Sequence, residues 1–409
     1  MSHTRLWWVN QTARALRDGG GTRQVELGRE LAALGWSTTV VSSDFDFQAR
    51  RYLRRDGAQD RRALREEEDG VAFRWLWAAP YRRNDWRRAW NWASFAHAVA
   101  GERPAKTERP ALVIGSSPQL FAARAAAGLA RALAVPFVFE VRDLWPESLL
   151  AVGARAGAFY HVMDWVARGL YQKADRIIVL ADGVREYLER ERGVAASRLT
   201  VIPNGVDATA FELPRSARGS QVVIAYAGAH GPANGLETVI HAAALVLDLT
   251  SLRIELVGDG PSKASLRALA ERLGSTNVIF RDPIPKTEMP RHLASVDAGL
   301  MVLRDAELFS FGVSPNKLFD YLGAGLPVVC NVPGEVAGLL ARAGAGIQCA
   351  DASPAALAQG LRALYAMTPQ TRAGMGAAGQ AWVRAHRDRS ILARALDATL
   401  RPLLQPGGR

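Results

Sequence analysis

The sequence contains little cysteine. Cys330 and Cys349 are the only two among 409 residues. Two cysteines cannot build the disulfide framework of a secreted scaffold, and neither stands in a Cys/His spacing typical of a metal site. We therefore expect a protein of a reducing compartment.

Long apolar runs are also missing. No stretch approaches the roughly 18–20 apolar residues that a membrane helix requires. The longest uncharged stretch, Gly219 to Leu236, is interrupted by glycines, a proline and a histidine. The first ten residues, MSHTRLWWVN, lack the apolar centre of a signal peptide. These features predict a cytoplasmic protein that at most lies on a membrane surface.

The composition is that of a globular protein, with 49% hydrophobic and 22% charged residues. Its length exceeds the roughly 100–200 residues of one ordinary domain, which predicts two. The net charge is 51 − 40 = +11. Residues 1–205 hold 31 basic and 23 acidic residues, a balance of +8, and ten of the eleven tryptophans. The first half is therefore expected to face an anionic partner.

Short apolar strands alternate with amphipathic helices along the whole chain. This alternation predicts an α/β fold of two Rossmann-like domains, each with a parallel sheet covered on both faces. We place the domains at 1–207 and 208–385, with a linker at about 207–220. A C-terminal helix at 386–409 is expected to pack back on the first domain. The cleft between the domains is the expected site.

Three segments are predicted in more detail. Residues 118–133 form the clearest helix, because they are rich in Ala, Leu and Arg. Residues 376–403 are helical. The charge-dense segment 50–69 is interpreted as a solvated loop or a surface helix and not as a specific site.

A glycine-rich loop follows the first predicted strand. Gly19, Gly20 and Gly21 precede Thr22 and the start of a helix. Glycines let the backbone approach a ligand closely, and a helix N-terminus attracts anions. We assign Gly21 and Thr22 to a phosphate-like ligand, with an ordinary glycine turn as the alternative.

A cluster of charged residues follows the buried strand 137–141. Arg142 and Asp143 stand directly after it, and Trp145, Pro146 and Glu147 come next. Ligands of parallel sheets bind beyond the carboxyl ends of the strands. We therefore take Arg142 and Asp143 as catalytic candidates, with a structural salt bridge between them as the alternative.

The segment 311–329 is the most informative. Ser314 is predicted to be the N-cap of a short helix, with Pro315 at its first position and its end at Gly323 or Gly325. The helix start and Lys317 together suit a diphosphate. Asp320, one turn further on, can accept hydrogen bonds from both ribose hydroxyls of a nucleotide. The binding candidates here are Gly312, Val313, Ser314, Pro315, Asn316, Lys317 and Asp320. The alternative is a capped helix with an incidental pair of Lys317 and Asp320.

Further glycine-containing turns follow strands of the second half. The segment 226–236 supplies Gly228, His230 and Asn234, and His230 is a candidate donor to a phosphate or sugar oxygen. Gly258 follows the next strand, and Ile284 lies after a later strand, where it can contact a base.

Taken together, these segments resemble a family 4 retaining glycosyltransferase of the two-domain GT-B fold. The similarity runs from GGGTR through VRDLWPES, VIPNGVD, AYAGAHGPANGLE and LVGDGP to SPNKLFDYLGAGLPVV. It is nearest to the bacterial fucosamine-transferase-like branch of surface-polysaccharide synthesis, which carries a Tyr-x-x-Asn-x-x-x-Arg stretch matched by Tyr81, Asn84 and Arg88.

This resemblance implies transfer of a sugar, with retention, from a nucleotide diphosphate sugar such as a UDP-sugar. It implies a lipid-linked diphosphate saccharide or other saccharide acceptor, no cofactor and no metal. Lys317 also counts among the catalytic candidates. The chain departs from the family where two glutamates are usual, because the first falls on Gly312 and the second on Asp320. The usual Arg and Lys of the fourth segment fall on Ala229 and Asn234.

Arginine and tryptophan interleave in residues 74–95. Trp86 and Trp90 are predicted to share one helix face, and Trp92 and Phe95 another. Indole rings and arginines suit the headgroup region of an anionic bilayer, here the inner face of the cytoplasmic membrane. The acceptor and membrane candidates are Tyr81, Arg83, Asn84, Trp86, Arg87 and Arg88. The alternative is that about half of the tryptophans are core residues.

Two rival functions remain open from the sequence. One is a nucleotide-sugar epimerase of the same fold, which needs more acid–base groups than these segments offer. The other is a non-catalytic homologue that binds sugar nucleotides. A nucleic-acid partner is not expected, because no recognised binding module is present.

Overall fold

The computed structural model describes residues 3–83, 85–151, 153, 155–214, 221–306 and 312–405. The chain divides into two compact units. The first comprises Met1–Pro203 and Ser390–Arg409, and the second comprises Asn204–Arg389.

The first unit is built on an eight-stranded sheet in the order β10-β9-β8-β7-β1-β2-β6-β5, parallel except for β5, which pairs antiparallel with β6. A separate two-stranded ribbon joins β3 and β4. The strands are β1 (Thr4–Val9), β2 (Trp36–Ser43), β3 (Phe45–Asp46), β4 (Arg51–Tyr52), β5 (Leu64–Glu68), β6 (Val71–Leu76), β7 (Leu112–Ser116), β8 (Phe137–Val141), β9 (Arg176–Val179) and β10 (Leu199–Val201).

Helices cover this sheet between successive strands. They are α1 (Arg23–Ala32), α2 (Trp86–Ala100), α3 (Leu120–Ala132), α4 (Glu147–Ala151), α5 (Ala158–Lys173) and α6 (Asp182–Arg192). Strand β8 is buried at all five positions, as expected for a parallel strand covered on both faces. The predicted helix at 118–133 is confirmed as α3.

The charge-dense segment 50–69 was predicted wrongly as a loop or helix. It contains β4 and the edge strand β5. The charges of β5 (LREEE) occupy a free sheet edge, where charged side chains prevent pairing with another chain. The alternation signal was hidden because both faces of this strand carry charge.

The second unit has a six-stranded parallel sheet in the order β13-β12-β11-β14-β15-β16. Its strands are β11 (Val222–Ala227), β12 (Leu252–Val257), β13 (Val278–Arg281), β14 (Ala298–Met301), β15 (Val328–Cys330) and β16 (Gly346–Gln348). Its described helices are α7 (Leu236–Ala244), α8 (Lys263–Arg272), α9 (Met289–Ala294), α10 (Asn316–Gly323), α11 (Glu335–Ala343), α12 (Pro354–Ala366) and α13 (Pro369–His386). A hydrophobic cluster covers each face of this sheet. Cys349 belongs to one cluster and Cys330 to the other.

The C-terminal stretch, predicted to be helical over 376–403, consists of two helices. After α13 the chain breaks at Arg387 and Asp388, and α14 (Arg389–Leu400) follows. Leu392, Leu396 and Leu400 of α14 lie in the core of the first unit with Trp8 and Trp36. The Trp36 indole donates to Asp397 at 2.6 Å, so α14 is anchored by one polar bond as well as by apolar contact.

The unit boundaries differ from the predicted 207/208 and 385/386 by a few residues. Val206 forms a bridge with Asp388, and its N–H donates to Arg387 O at 3.0 Å. Val206 and Phe211 are buried in the core of the second unit. Residues 207–214 of the expected linker therefore belong to the second unit. Residues 215–220 lie outside the described residues.

Candidate functional site

The order in which strands are added to the second sheet reverses beside β11. This strand lies between β12 and β14, so the chain winds outward in both directions from there. In open parallel sheets a ligand crevice forms at the carboxyl ends of the strands at such a point. The loop after β11 carries Gly228, and the segment after β14 leads to α10. Arg304 N donates to Ala233 O at 3.0 Å and ties the two connections together.

Lys317, in the first turn of α10, lies beside the end of β11 and the loop that follows it. Its Nζ donates to the Tyr226 hydroxyl at 2.8 Å and to Asn234 Oδ1 at 3.1 Å. It also lies 4.1 Å from the centroid of the Tyr226 ring. A Cβ on Gly228 would come within 3.2 Å of Lys317 Cε, so glycine there leaves room for the lysine. Three predicted site residues, Gly228, Asn234 and Lys317, are thus brought together.

Among the described residues, no carboxylate forms an ion pair with Lys317. Desolvation by burial lowers its pKa to about 7. Its two hydrogen-bond partners are neutral, and it forms no ion pair with Asp320. The N–H groups of Asn316 and Lys317, at the start of α10, have no intrahelical acceptor. An anion bound here would meet a cation and a helix N-terminus together.

The residues before α10 differ in detail from the prediction. The helix begins at Asn316, with Pro315 as the flanking residue, so Ser314 is not the N-cap. The Ser314 hydroxyl instead accepts a hydrogen bond from Asn204 N at 2.8 Å. Gly312 has a φ of +119°, which favours glycine. The predicted end of the helix at Gly323 is confirmed.

Val313 and Ile284 pack as partly buried side chains on the same hydrophobic core. Ile284, the predicted base contact, lies in the connection between β13 and α9. Its side chain therefore fixes that connection to the body of the unit.

Asp320, on α10, forms an ion pair with Lys286, which no sequence pattern had indicated. Lys286 Nζ lies 2.7 Å from both carboxylate oxygens of Asp320. The lysine side chain is 23% exposed and that of Asp320 12%. A lysine 34 positions upstream in a proline-containing loop gives no periodic signal, so only the folded chain reveals this pair.

His230, the candidate donor in the loop after β11, lies inside the second unit. Its side chain is fully buried, and neither ring nitrogen has a hydrogen-bond partner among the described residues. Burial lowers its pKa to about 4, so the ring is neutral at pH 7. Its backbone is held instead, with His230 N donating to Asp259 O at 2.8 Å. The donation of His230 to a phosphate or sugar oxygen stays a prediction.

Gly258 has a packing reason to be glycine. Its φ is +143°, and a Cβ there would lie 1.9 Å from Gly228 O. The loops after β11 and β12 thus touch through backbone, and Gly258 acts by permitting this approach.

The glycine-rich loop of the first unit also has a defined conformation. Gly19 and Gly20 have φ values of +68° and +86°. Gly21 pairs with Ala13, and a Cβ on it would lie 3.1 Å from Thr12 O. Thr22 is buried next to the start of α1. The loop folds back on residues 12–14 because its glycines allow that contact.

Arg23, the first residue of α1, is entirely buried by the fold. Its Nε lies 2.9 Å from Glu140 Oε1, and its terminal nitrogens donate to the carbonyls of Ile202 at 2.8 Å and Pro203 at 2.7 Å. Burial raises the pKa of Glu140, but the charges of Arg23 and Arg142, with the hydrogen bonds from Ser116 and Arg23, together hold that pKa below its usual value. Glu140 also accepts from Ser116 at 2.6 Å. This pair fixes the start of α1 against the sheet.

Arg142 and Asp143 follow β8 as predicted, and the alternative of a salt bridge between them is not seen. Their N–H groups both donate to Ser117 Oγ, at 2.8 and 3.1 Å. The Nε of Arg142 is buried without a hydrogen-bond partner in the described part of the chain. A donor in that state is available to a ligand.

The tryptophan- and arginine-rich segment is partly core and partly surface. Tyr81 is buried and packs 5.3 Å from the Phe45 ring, which corrects its assignment as a contact residue. Trp86 and Trp90 on α2 are 70% and 56% exposed, while Phe95 is buried, so the predicted division of faces is confirmed. The guanidinium of Arg87 stacks 5.2 Å from Trp86. Arg83 is exposed.

The guanidinium of Arg88 stacks 5.1 Å from Trp92. Asn84 lies outside the described residues.

Within the described ranges, no helix is long and apolar enough to cross a membrane. The same residues contain no group of three or more His, Cys, Asp or Glu side chains arranged to hold a metal ion.

Comparison with known protein families matches both halves of the chain. Residues 18–205 match the Glycosyl transferase 4-like domain. Residues 221–367 match the Glycosyl transferases group 1 domain. The two regions together take in most of the chain and correspond to its two structural units.

Two curated relatives are similar over part of their length. The Escherichia coli protein WcaI, named for glycosyl transfer in colanic acid biosynthesis, is 26% identical over 284 residues, which is 64% of this chain and 68% of WcaI. The Bacillus subtilis protein TuaH, named for teichuronic acid biosynthesis, is 24% identical over 205 residues. That match spans 48% of this chain and half of TuaH.

Solved structures with the same fold cover nearly the whole chain. Sucrose-phosphate synthase of Thermosynechococcus elongatus has a TM-score of 0.74 at 17% identity, covering 98% of this chain and 99% of that one. HepE of Anabaena, solved with UDP and glucose, has a TM-score of 0.69 at 15% identity, covering 98% and 100%. These similarities show the fold, which is that of the two-domain GT-B proteins. With the two domain matches, the chain belongs to the family 4 glycosyltransferases.

Proposed function

We propose that this glycosyltransferase moves a sugar, with retention of anomeric configuration and without a metal, from a nucleoside diphosphate sugar to a lipid-linked diphosphate saccharide or other saccharide acceptor. The pathway would be surface-polysaccharide synthesis. The names of WcaI and TuaH support the pathway, and the UDP complex of HepE supports a UDP-sugar as donor. The fucosamine-transferase-like branch remains a prediction.

The observation that carries the proposal is the group formed by Lys317, Asn234, Gly228 and the start of α10. Cleavage of the bond between the sugar and the diphosphate builds negative charge on the leaving phosphate. Preorganised donors and a buried cation stabilise that charge without reorganisation. Lys317 would supply the positive charge, and the N–H groups at Asn316 and Lys317 would supply hydrogen bonds.

Arg142 and Asp143 are proposed to contact the reacting sugar and the acceptor. The buried, unpartnered Nε of Arg142 supports this role. A guanidinium can hold a phosphate or a sugar hydroxyl in a fixed orientation. Asp143 is a carboxylate within the same turn that can accept a hydrogen bond from an acceptor hydroxyl.

A donor screen tests the proposal directly. We expect one class of UDP-, GDP- or ADP-sugar to raise the melting temperature of the protein. Mass spectrometry should then detect transfer of that sugar to an acceptor, and NMR of the product should show the donor's anomeric configuration. Transfer should persist in EDTA. Conversion of the donor alone to an epimer would favour the epimerase, and donor binding without product across an acceptor panel would favour a binding protein.

A second proposal concerns the membrane. Besides Trp86 and Trp90, the first unit exposes Phe159, Val162 and Trp165 on α5. Trp92 stacks 6.2 Å from Phe159, and this contact links α2 to α5.

Arginines flank the rings of both helices, including Arg124 at 4.9 Å from the Trp165 centroid. Aromatic side chains among arginines suit the interface of an anionic membrane, which would place this enzyme on the inner face of the cytoplasmic membrane.

Vesicle flotation tests this surface. The wild-type protein should float with vesicles that contain phosphatidylglycerol, and high salt should weaken the binding. Trp86→Ser with Trp165→Ser should lower the bound fraction about tenfold, because two interfacial rings are lost. Leu245→Ser, at an exposed apolar residue of the second unit, is the matched control. Binding that ignores salt and both tryptophans would contradict the membrane proposal.

A further inference from the structure

Lys286 and Asp320 form a pair that the proposed mechanism does not yet use. The ammonium lies at equal distances of 2.7 Å from both carboxylate oxygens. Asp320 is on α10, one turn after Lys317. Partly buried ion pairs contribute little net stability, because desolvation offsets much of the attraction between the charges. Their position can instead serve recognition.

The backbone around Lys286 is well anchored. The N–H groups of Glu288 and Met289 donate to Pro285 O at 3.0 and 3.1 Å, and Met289 N also reaches Lys286 O at 3.3 Å. Ile284 is packed on the hydrophobic core on the other side of Pro285. These contacts fix the turn that carries Lys286, and the lysine side chain extends from this turn to Asp320 on α10.

The side chain of Lys286 is more exposed to solvent than that of Asp320. Asp320 is the more withdrawn, at 12%, and Lys286 is the more accessible, at 23%. A ligand hydroxyl that approaches the carboxylate therefore also meets the ammonium. A carboxylate only accepts hydrogen bonds and an ammonium only donates them. A sugar hydroxyl does both, so each hydroxyl of a vicinal diol finds complementary partners here.

We propose that Lys286 acts together with Asp320 to recognise the ribose diol of the nucleotide, and that Lys286 makes the site depend on the 2′-hydroxyl. This inference rests on the proposed function, since it assigns the ribose to Asp320. It adds a second residue, from a different part of the chain, to the nucleotide site. The diphosphate remains with Lys317 one turn earlier.

The test compares ribose with deoxyribose in nucleotide binding. Calorimetry with UDP, GDP, ADP and CDP first identifies the ribonucleotide that binds most tightly, and its 2′-deoxy counterpart is then measured. The wild-type protein should prefer the ribonucleotide about tenfold or more, because the deoxy ligand leaves polar groups unpaired. Lys286→Met should reduce this preference to less than about threefold. Lys286→Arg, which keeps a donor, should retain most of it.

Lys263→Ala is the matched control, because Lys263 pairs with Asp282 at 3.0 Å in the same unit but does not contact Asp320. It should keep the wild-type preference. An unchanged preference in Lys286→Met, or equal weakening of both ligands together with a lower melting temperature, would overturn the role of Lys286 and leave the glycosyltransferase proposal standing. Failure of the wild-type protein to bind any of the four nucleotides would overturn both.

Discussion

Replacing Lys317 by alanine is expected to lower kcat/KM for the sugar donor by about 10²–10³. The variant removes the cation that lies against Tyr226 and Asn234 at the start of α10. Charge that develops on the departing diphosphate would then lack its counter-charge. Turnover of the donor identified by the screen measures the effect, with the melting temperature as a check of folding.

The pH profile separates a charge effect from a packing effect. Because burial lowers the pKa of Lys317 to about 7, the free protein loses this charge as the pH rises above 7. Affinity for a nucleoside diphosphate should therefore fall by up to about tenfold per pH unit above that value. Lys317→Arg should bind with little pH dependence over the same range, since a guanidinium stays protonated.

Two controls accompany this prediction. Lys106→Ala changes an exposed lysine of the first unit and should behave as wild type. Tyr226→Phe removes one hydrogen bond to Lys317 but keeps the ring and the cation, so it should cost much less than Lys317→Ala. If a folded Lys317→Ala protein retains kcat/KM within about threefold, the assignment of the diphosphate to this lysine is wrong.

Breaking the buried ion pair of Arg23 and Glu140 should lower the free energy of unfolding strongly. Glu140→Leu leaves the Arg23 charge buried without its carboxylate, and removing one partner of such a pair costs about 3–5 kcal/mol. For a unit of this size, that corresponds to a fall in melting temperature of roughly 6–20 °C. Arg23→Met should destabilise to a similar extent, because Glu140 then remains buried without its partner.

The double variant Arg23→Met with Glu140→Leu tests the physical reason. It removes both charges, so it should recover part of the loss shown by each single variant. Arg62→Ala, which breaks the exposed pair with Asp60, should leave the melting temperature unchanged. Single variants that melt with the wild type would show that the buried pair does not hold α1 in place.

The Glu140 carboxylate also links stability to pH. Its pKa is lowered in the folded protein, so its contribution is present above the usual glutamate pKa and is lost as the pH falls through the lowered value. Destabilisation by acid should accordingly be weaker in the double variant than in the wild type.

Much of the fold follows from the local pattern. The apolar runs at 137–141 and 328–330 are strands with those bounds, because parallel strands buried on both faces are continuous apolar segments. Strand β5 was not predicted, because it lies at a sheet edge and both of its faces carry charged side chains. The predicted boundary at 385/386 lies within a few residues of the break between α13 and α14, although the sequence is helical in composition on both sides. The pairing of Val206 with Asp388 accompanies that break.

The sequence by itself determined the α/β class, the alternation of strands and helices, and the segments that supply Gly228, Asn234 and Lys317, because each depends on residues close together along the chain. The tertiary structure alone decided which partner each polar group found. Asp320 meets Lys286 and not Lys317, Arg23 meets Glu140, and His230 and Tyr81 are buried. These outcomes depend on contacts between strands and helices distant in sequence, and no local period or spacing encodes such contacts.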